Sequence, residues 1–466
     1  MHPIIVLLTV CSLFWLTPVF GETNEPGRDT YQQYCAGCHD TGTGNAPRRS
    51  DTDYWKKRLQ VAIGRSALTN TVITGKGAMP AKGGCTDCTE EMLQNAVLYL
   101  INDANNTSTA SADTPDDPFP LETLKLPAGF SIKVFADKLP GARFMAQGDD
   151  GTIFVGSKGF GNVYAVIPNK DGTGIARKLT LLSELDEPNG VAFHQGALYV
   201  AEVGRILRYD DIEDHLEQPP EPVIVKDNLP SMRWHGYKTI DVGPDNKLYV
   251  AIGMPCNTCN YRQTNPLLGT IMRMKLDGND FEPYAIGIRN SVGFTWHPES
   301  HALWFSDNGQ DLLGDNTPPD EINYAPKAHM DFGFPYVFGH NIIAPDYTTQ
   351  HINTANFTPP AFALPAHVAP LGVRFYTGQQ FPKEYQNQLF VALHGSWNRS
   401  KKTGYEILML TVEGDRIVKS QPFVTGWLQG QEAWGRPVHL LVQPDGSLLI
   451  SDDFKGAIYQ VTYEKR

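Results

Sequence analysis

Tyr34-Cys35-Ala36-Gly37-Cys38-His39 places two thiols three residues apart with an imidazole directly after the second. That spacing suits haem attached through two thioethers, with His39 as an axial ligand of the iron. Alone, a CxxC is equally a redox dithiol or half of a zinc site. The next motif decides: Gly75-Lys76-Gly77-Ala78-Met79-Pro80 carries a thioether on a Gly-rich loop, the second ligand of His/Met cytochromes. The plain alternative for Met79 is core filling.

A second set of chemistry-bearing residues is scattered over the rest of the chain. His235 sits beside Trp234 eight residues before Gly243-Pro244-Asp245, where a satisfied surface histidine is the plain alternative to a base. Arg289-Asn290 joins a guanidinium fork to an amide, a pair suited to planar carbonyl or carboxylate groups; capping of strand carbonyls is the alternative. Ser306-Asp307-Asn308-Gly309-Gln310-Asp311, with Asp315 and Asp320-Glu321-Ile322-Asn323 after it, crowds oxygens near a Gly turn and suggests calcium, although acidic loops also serve simply as solvated surface. His394-Gly395-Ser396-Trp397-Asn398-Arg399 and Gly435-Arg436-Pro437-Val438-His439 complete the set.

The elements that must position these groups differ between the two halves. After the second CxxC, Cys85/Cys88, Thr89 reads as a helix N-cap with Glu90 and Glu91 in the first turn, and Met92, Leu93, Ala96, Val97 and Leu100 form the apolar face of a closing helix. Residues 103–118 are polar and Pro-containing without large apolar side chains, the composition of a flexible linker. From residue 119 a strand, turn, strand theme recurs six times, at 150–166, 194–209, 243–274, 297–307, 385–410 and 443–461, each with a tight turn built on Asp, Gly or Asn. Even recurrence at this spacing argues for a six-bladed β-propeller of four-stranded blades over a pair of β-sandwiches. The expected fold is an all-β six-bladed propeller over 119–466 preceded by a small all-α cytochrome c domain over 22–102. A propeller gathers its site from loops of many blades, so scattered site residues are expected.

The chain has 466 residues, enough for a small domain and a large one, and a formal net charge of -12. The haem segment is nearly balanced, so the acidity lies in the linker and the large domain, and no basic face for nucleic acid is indicated. The apolar run 4–16 ending near Gly21 reads as a secretory leader over 1–21, with an uncleaved anchor as the rival; Pro18 and the short run argue against the anchor. No later stretch is suited to spanning a bilayer, and a periplasmic location is expected. Of seven cysteines, Cys11 leaves with the leader and Cys35 and Cys38 take haem c. Cys85/Cys88 and Cys256/Cys259 are then expected as disulfides in an oxidising compartment, in preference to a shared zinc site.

Residues 28–102 resemble the small bacterial cytochromes of the c-five type, which share CAxCH, an Ala-Pro after it, GKGAMP and a following GGCxxC. Residues 121–463 resemble the soluble quinoprotein glucose dehydrogenases, six-bladed propellers that use pyrroloquinoline quinone (PQQ). The resemblance rests on a loop His before GPD, then RN, a Gly turn, DEIN and Phe332-Gly333-Phe334-Pro335. The strings PCNTCN, HGSWNR and DNGQDLLGD are still more like the sorbosone or pyranose dehydrogenase branch. The resemblance implies that His235 is the base taking the substrate hydroxyl proton, and that Arg289 and Asn290 polarise the quinone oxygen. It also implies that the Gly309 and Gln310 carbonyls hold calcium, and that Arg436 and Arg399 neutralise the cofactor carboxylates. Val292 stands where that family has a Gln, and Gln310 where it has a Pro, so glucose specificity is not implied. The function expected is oxidation of an aldose or related sugar aldehyde, with electrons passing to the chain's own haem and on to a downstream cytochrome or respiratory acceptor. Two other classes compete: a calcium-dependent lactonase, which needs several carboxylates on one metal, and a non-catalytic electron-transfer or carbohydrate-binding propeller.

Overall fold

A computed structural model describes residues 28–39, 46–51, a discontinuous set within 54–100, 119–169 and 174–464. The leader at 1–21, the linker at 103–118 and residues 76–78 of the Gly-rich loop lie outside the described residues. The chain divides into two compact units, 1–116 and 117–466.

In the first unit, helices Arg28–Tyr34 and Ala36–His39 carry the CxxCH motif. Tyr31, Trp55, Leu68, Ala96, Val97 and Leu100 form one buried cluster. Cys85, Cys88 and Leu93 form another. Positions 93, 96, 97 and 100 recur at helical spacing and are all buried, as the sequence pattern requires. Met92 departs from that expectation. It stands 40% exposed, because the buried stripe at 93, 96, 97 and 100 leaves position 92 on its flank.

The second unit is a six-bladed β-propeller. The inner strands are Ala142–Gln147, Gly190–His194, Thr239–Val242, Phe294–Trp296, Pro370–Phe375 and Pro437–Val442. Each pairs antiparallel with a second strand that is buried throughout, such as Ile153–Ser157 or Leu389–Leu393. Third and outer strands complete five four-stranded sheets and one extended to five by Met330–Asp331. The recurrent sequence theme corresponds to the second and third strands. The tight turn entering each second strand holds a residue of positive φ at a matching place: Gly151, Gly196, Asn246, His301, Asn387 and Gly446. Gly and Asn tolerate that conformation, which is why the turns were visible in the sequence.

Closure joins the two ends of the unit. Phe130–Ala136 forms the outer strand of the sixth blade by pairing with Ala457–Tyr463, in a register that sets Phe130 opposite Tyr463. Neighbouring blades are then tied by polar bonds where the inner strands begin. Ser157 N–H donates to Pro188 O (2.9 Å), Asn189 Nδ2 to Lys238 O (2.9 Å), and Thr239 Oγ1 to Val292 O (2.6 Å). Ser306 Oγ donates to Leu371 O (2.8 Å), Arg436 Nε to His394 O (3.1 Å), and Ser451 Oγ to Arg143 O (2.6 Å). Just past these ties Phe144, Val292, Leu371 and Val438 pack into one buried apolar cluster, a plug contributed by the inner ends of four blades. Val292 is therefore a floor residue.

Candidate active site

Antiparallel order places the starts of the inner strands and the loops between second and third strands at the same end of the propeller. Every propeller residue given a catalytic, cofactor or calcium role from the sequence falls in those segments. His235 precedes the third inner strand, Arg289 and Asn290 precede the fourth, and Arg436 precedes the sixth. Gly309 and Gln310 lie between Leu303–Asp307 and Asp320–Ala325, and Arg399 between Leu389–Leu393 and Glu406–Glu413.

His235 occupies a left-handed backbone conformation (φ 53°) and sets its Cβ and carbonyl oxygen against Gly253. Its Nδ1 lies 2.6 Å from the Met254 carbonyl oxygen, which only accepts, so Nδ1 carries the hydrogen. Nε2 keeps its lone pair and accepts from Trp234 Nε1 (3.0 Å). Burial, then the nearby Arg289 charge, hold the imidazole well below its ordinary pKa; the Met254 bond opposes them weakly. The ring is a neutral base at Nε2 throughout the physiological range. A Cβ on Gly253 would lie 2.7 Å from His235 Cβ and 3.0 Å from Asn290 Oδ1, so glycine there lets the imidazole and the amide converge.

Arg289 is buried and makes four side-chain hydrogen bonds. Nε donates to Asn257 O (3.2 Å) and Nη1 to Asn308 O (3.1 Å), while Nη2 donates to Asn257 Oδ1 and Asp311 Oδ2 (both 2.8 Å). A guanidinium has five N–H groups, so one on Nη1 remains for a ligand. The backbone of the pair is fixed by Asp307, whose Oδ2 accepts from Arg289 N–H (2.9 Å) and Oδ1 from Asn290 N–H (2.6 Å).

The acidic stretch behaves differently from the calcium-ligand reading of its side chains. Asp320 accepts from the N–H groups of Gly309 (2.7 Å) and Ala369 (2.9 Å). Glu321 accepts from Gly339 N–H (2.7 Å) and Asn323 Nδ2 (3.1 Å), Asp311 pairs with Arg289, and Asp315 accepts from Ser400 N–H (2.9 Å). Buried carboxylates need donors, and Asp320 and Glu321 find them chiefly in backbone N–H groups, so they shape the loops. Burial pushes Asp307 up to about 7, Asp320 to about 6 and Glu321 to about 8. By contrast, no donor among the described residues reaches the Gly309 or Gln310 carbonyl oxygens. Two free carbonyls on a carboxylate-braced turn fit a hard cation.

Arg399 and Arg436 part company. Arg399 binds the Asp315 and Ala366 carbonyls and Asn316 Oδ1 (3.1 Å), bracing two loops. Arg436 is buried over the Tyr405 ring and shares the fields of Arg143 and Asp453. Arg143 and Lys158 flank the ring of Tyr237, with Arg143 Nη1 3.0 Å from Asp453 Oδ2. His394 Nε2 donates to Asp453 Oδ1 (2.8 Å). Burial lowers His394 to about 3, so it is neutral. Burial pushes Asp453 up, and His394 and Arg143 more than reverse this, leaving it ionised. Two buried guanidiniums, Arg143 and Arg436, with the half-buried Lys158 beside them around one carboxylate, favour an incoming anion. Arg143, Lys158, Tyr237 and Asp453 were missed in the sequence; only their place at blade starts and blade loops could have signalled them.

In the first unit His39 Nδ1 lies 2.8 Å from the Pro47 carbonyl oxygen, which fixes the hydrogen on Nδ1 and leaves Nε2 free to bind iron. Cys35 and Cys38 are unpaired thiols, with Cys35 pushed up to about 11 by burial, then by Cys38. Cys85–Cys88 and Cys256–Cys259 are disulfides. Unpaired thiols beside an imidazole with a free Nε2 fit haem c, and Met79 lies half-buried on its loop.

Comparison with known proteins agrees with this division. Residues 22–100 match the family described as cytochrome C oxidase, cbb3-type, subunit III. Cytochrome c5 of Azotobacter vinelandii is 39% identical over 71 residues, 15% of this chain and 86% of its own. An uncharacterized protein of Borreliella burgdorferi is 37% identical over 359 residues, 74% of this chain and 92% of its own. The holo PQQ domain of pyranose dehydrogenase from Coprinopsis cinerea superposes with a TM-score of 0.61 at 18% identity, over 73% of this chain and 97% of that one, a likeness of fold. The model of the TrAA12-like family matches residues 124–464, and the chain belongs to that family, with a cytochrome c domain ahead of its propeller.

Proposed function

We infer that the propeller oxidises a sugar, an aldose or related sugar aldehyde of the sorbosone kind, on PQQ held with calcium, and that the electrons pass to haem c on the same chain. The reading places the protein in the periplasm, with a cytochrome or respiratory component as downstream acceptor. The observation that carries it is the convergence of a neutral His235 with Asn290 beside the anchored Arg289. The quinone, when bound, would supply a two-electron acceptor for hydride from the substrate carbon.

The protein's own groups provide the rest. His235 Nε2 takes the hydroxyl proton, with Trp234 Nε1 giving way to the substrate, and the resulting imidazolium keeps its Nδ1–H bond to Met254 O. The remaining Arg289 Nη1–H and the Asn290 amide donate to the oxygen on which negative charge develops. Gly309 and Gln310 carbonyls would hold calcium, and Arg436, with Arg143 and Lys158, would hold the anionic end of the cofactor. The apolar plug with Val292 closes the floor against water. A lactonase would need side-chain carboxylates free for one metal, whereas those of Asp307, Asp320 and Glu321 are engaged by N–H donors.

The test is to load purified protein with PQQ and calcium, add a panel of aldoses, aldosuloses and alcohols, and follow haem absorbance. Quinone-dependent haem reduction by a sugar supports the reading. Absence of reduction with every substrate, despite measured quinone binding, refutes it. Absence of tight quinone binding leaves the non-catalytic propeller.

A further inference from the structure

Asn257 makes four hydrogen bonds to two residues of the site. Its carbonyl oxygen accepts from Arg289 Nε (3.2 Å), and its Oδ1 accepts from both Arg289 Nη2 and Asp311 N–H (2.8 Å each). Its Nδ2 donates back to Asp311 O (3.0 Å). Asp311 closes the triangle with its own ion pair to Arg289 Nη2 (2.8 Å), where the two side chains are only 3% and 14% exposed. One residue therefore sets the guanidinium plane and also ties the loop after Thr239–Val242's partner strand, Leu248–Ile252, to the Gly309 turn.

Asn257 has no regular strand or helix to hold it. It lies inside the small ring closed by Cys256–Cys259, in which Cys259 N–H also donates to Cys256 Sγ (2.8 Å). A covalent ring of four residues removes most of the backbone freedom that an irregular loop would otherwise give Asn257.

We propose that Asn257 is the positioning residue for Arg289, and that the Cys256–Cys259 disulfide serves the site by holding Asn257 in place. The consequence for catalysis rests on the function inferred above for Arg289; the positioning itself does not. Without the Asn257 side chain the guanidinium loses its Oδ1 anchor, one of four, and Asp311 loses the amide that bonds its N–H and its carbonyl. The Nη2 end of Arg289 is then held by Asp311 alone.

The decisive measurement is the rate at which phenylglyoxal modifies Arg289 in the cofactor-free, full-length protein, read by peptide mass spectrometry. Losing hydrogen bonds to a charged group corresponds to about a tenfold change. Asn257→Ala is expected to raise the Arg289 modification rate about tenfold, and a Cys256→Ser/Cys259→Ser double variant to raise it in the same direction. Asn257→Asp, which keeps the acceptor for Arg289, should stay near wild type, and Cys85→Ser/Cys88→Ser should leave Arg289 unchanged. In quinone titrations the first two variants should bind about tenfold more weakly. An unchanged Arg289 rate in both Asn257→Ala and the Cys256/Cys259 double variant overturns the proposal. If Arg289 is unshielded as expected but even the wild type binds no quinone, the positioning stands and the inferred function fails. Should Asn257→Ala not fold, the double cysteine variant and Asn257→Asp carry the same comparison.

Discussion

Asp307→Ala isolates what one buried carboxylate does for the site. In the folded protein it accepts from two successive backbone N–H groups, those of Arg289 and Asn290, at 2.9 and 2.6 Å. Alanine leaves both donors buried without an acceptor, at about 1–3 kcal/mol each. Beside Asp307 lies a cavity of about 10 Å³, bounded also by Arg289, Asn308 and Glu321. The deleted carboxyl enlarges it enough for a water to satisfy one N–H, so the net cost falls in the lower part of the range, about 2–4 kcal/mol. In a propeller this large that corresponds to a fall of roughly 4–8 °C in the melting temperature. Activity should fall further than stability suggests. The N–H bonds fix the backbone from which both polarising side chains project, and a small displacement of such groups costs about a hundredfold. Calorimetry gives the first number and sugar-dependent dye reduction the second. Asp307→Asn, which keeps one carbonyl acceptor, should fall between wild type and Asp307→Ala in both. An Asp307→Ala protein that melts within about 1 °C of wild type and turns over normally would falsify the anchoring argument.

His235→Asn keeps a residue that tolerates the left-handed backbone but removes the base; kcat should drop by about 10²- to 10⁴-fold with quinone affinity retained, and unchanged kcat would remove His235 from the chemistry. Met79→Ala should lower the haem midpoint potential and let the reduced haem take up carbon monoxide, whereas an unaltered potential without carbon monoxide binding excludes Met79 as a ligand. His439 is held well below its ordinary pKa by burial, then by Arg374 and Arg143, and its Nδ1 accepts from Met145 N–H (3.2 Å). Because the folded value lies below the unfolded one of about 6.5, the unfolded chain takes up a proton as pH falls through that value while the folded chain does not. The stabilisation by neutral His439 is therefore complete above that window and is lost progressively below it. The difference in urea midpoint between wild type and His439→Gln should shrink from pH 7.5 to pH 5; a constant difference contradicts the assignment.

The propeller was legible because its second and third strands are buried and regular, and because the turns entering the second strands hold Gly or Asn in five of six blades. The inner strands were not. Ala142–Gln147 is buried at every position but the last, and its Arg143 breaks any apolar alternation. The site was legible where consecutive residues act together, as in Arg289-Asn290. It was not where groups meet only through closure of the ring, as with Arg143 and Lys158 of one blade, Tyr237 of a second and Asp453 of a third. Composition misled at Asp307 to Glu321, since a carboxylate that holds a cation and one that caps a backbone amide have the same letter. Asn257 stood in plain view within a CxxC. Its two cysteines drew the reading toward covalent bonding and away from the amide between them.

The pairing of Phe130–Ala136 with Ala457–Tyr463 sets an order of events during biosynthesis. Until residues 436–463 leave the ribosome, the sixth blade lacks its own strands, and the cation cluster lacks both Arg436 and Asp453. The CxxCH motif is complete hundreds of residues earlier. Closure of the ring waits on a pairing between residues more than 300 apart in the chain, so it is slow and late. A stop codon only a blade short of residue 463 would therefore leave the ring unclosed and abolish the whole site rather than trim it.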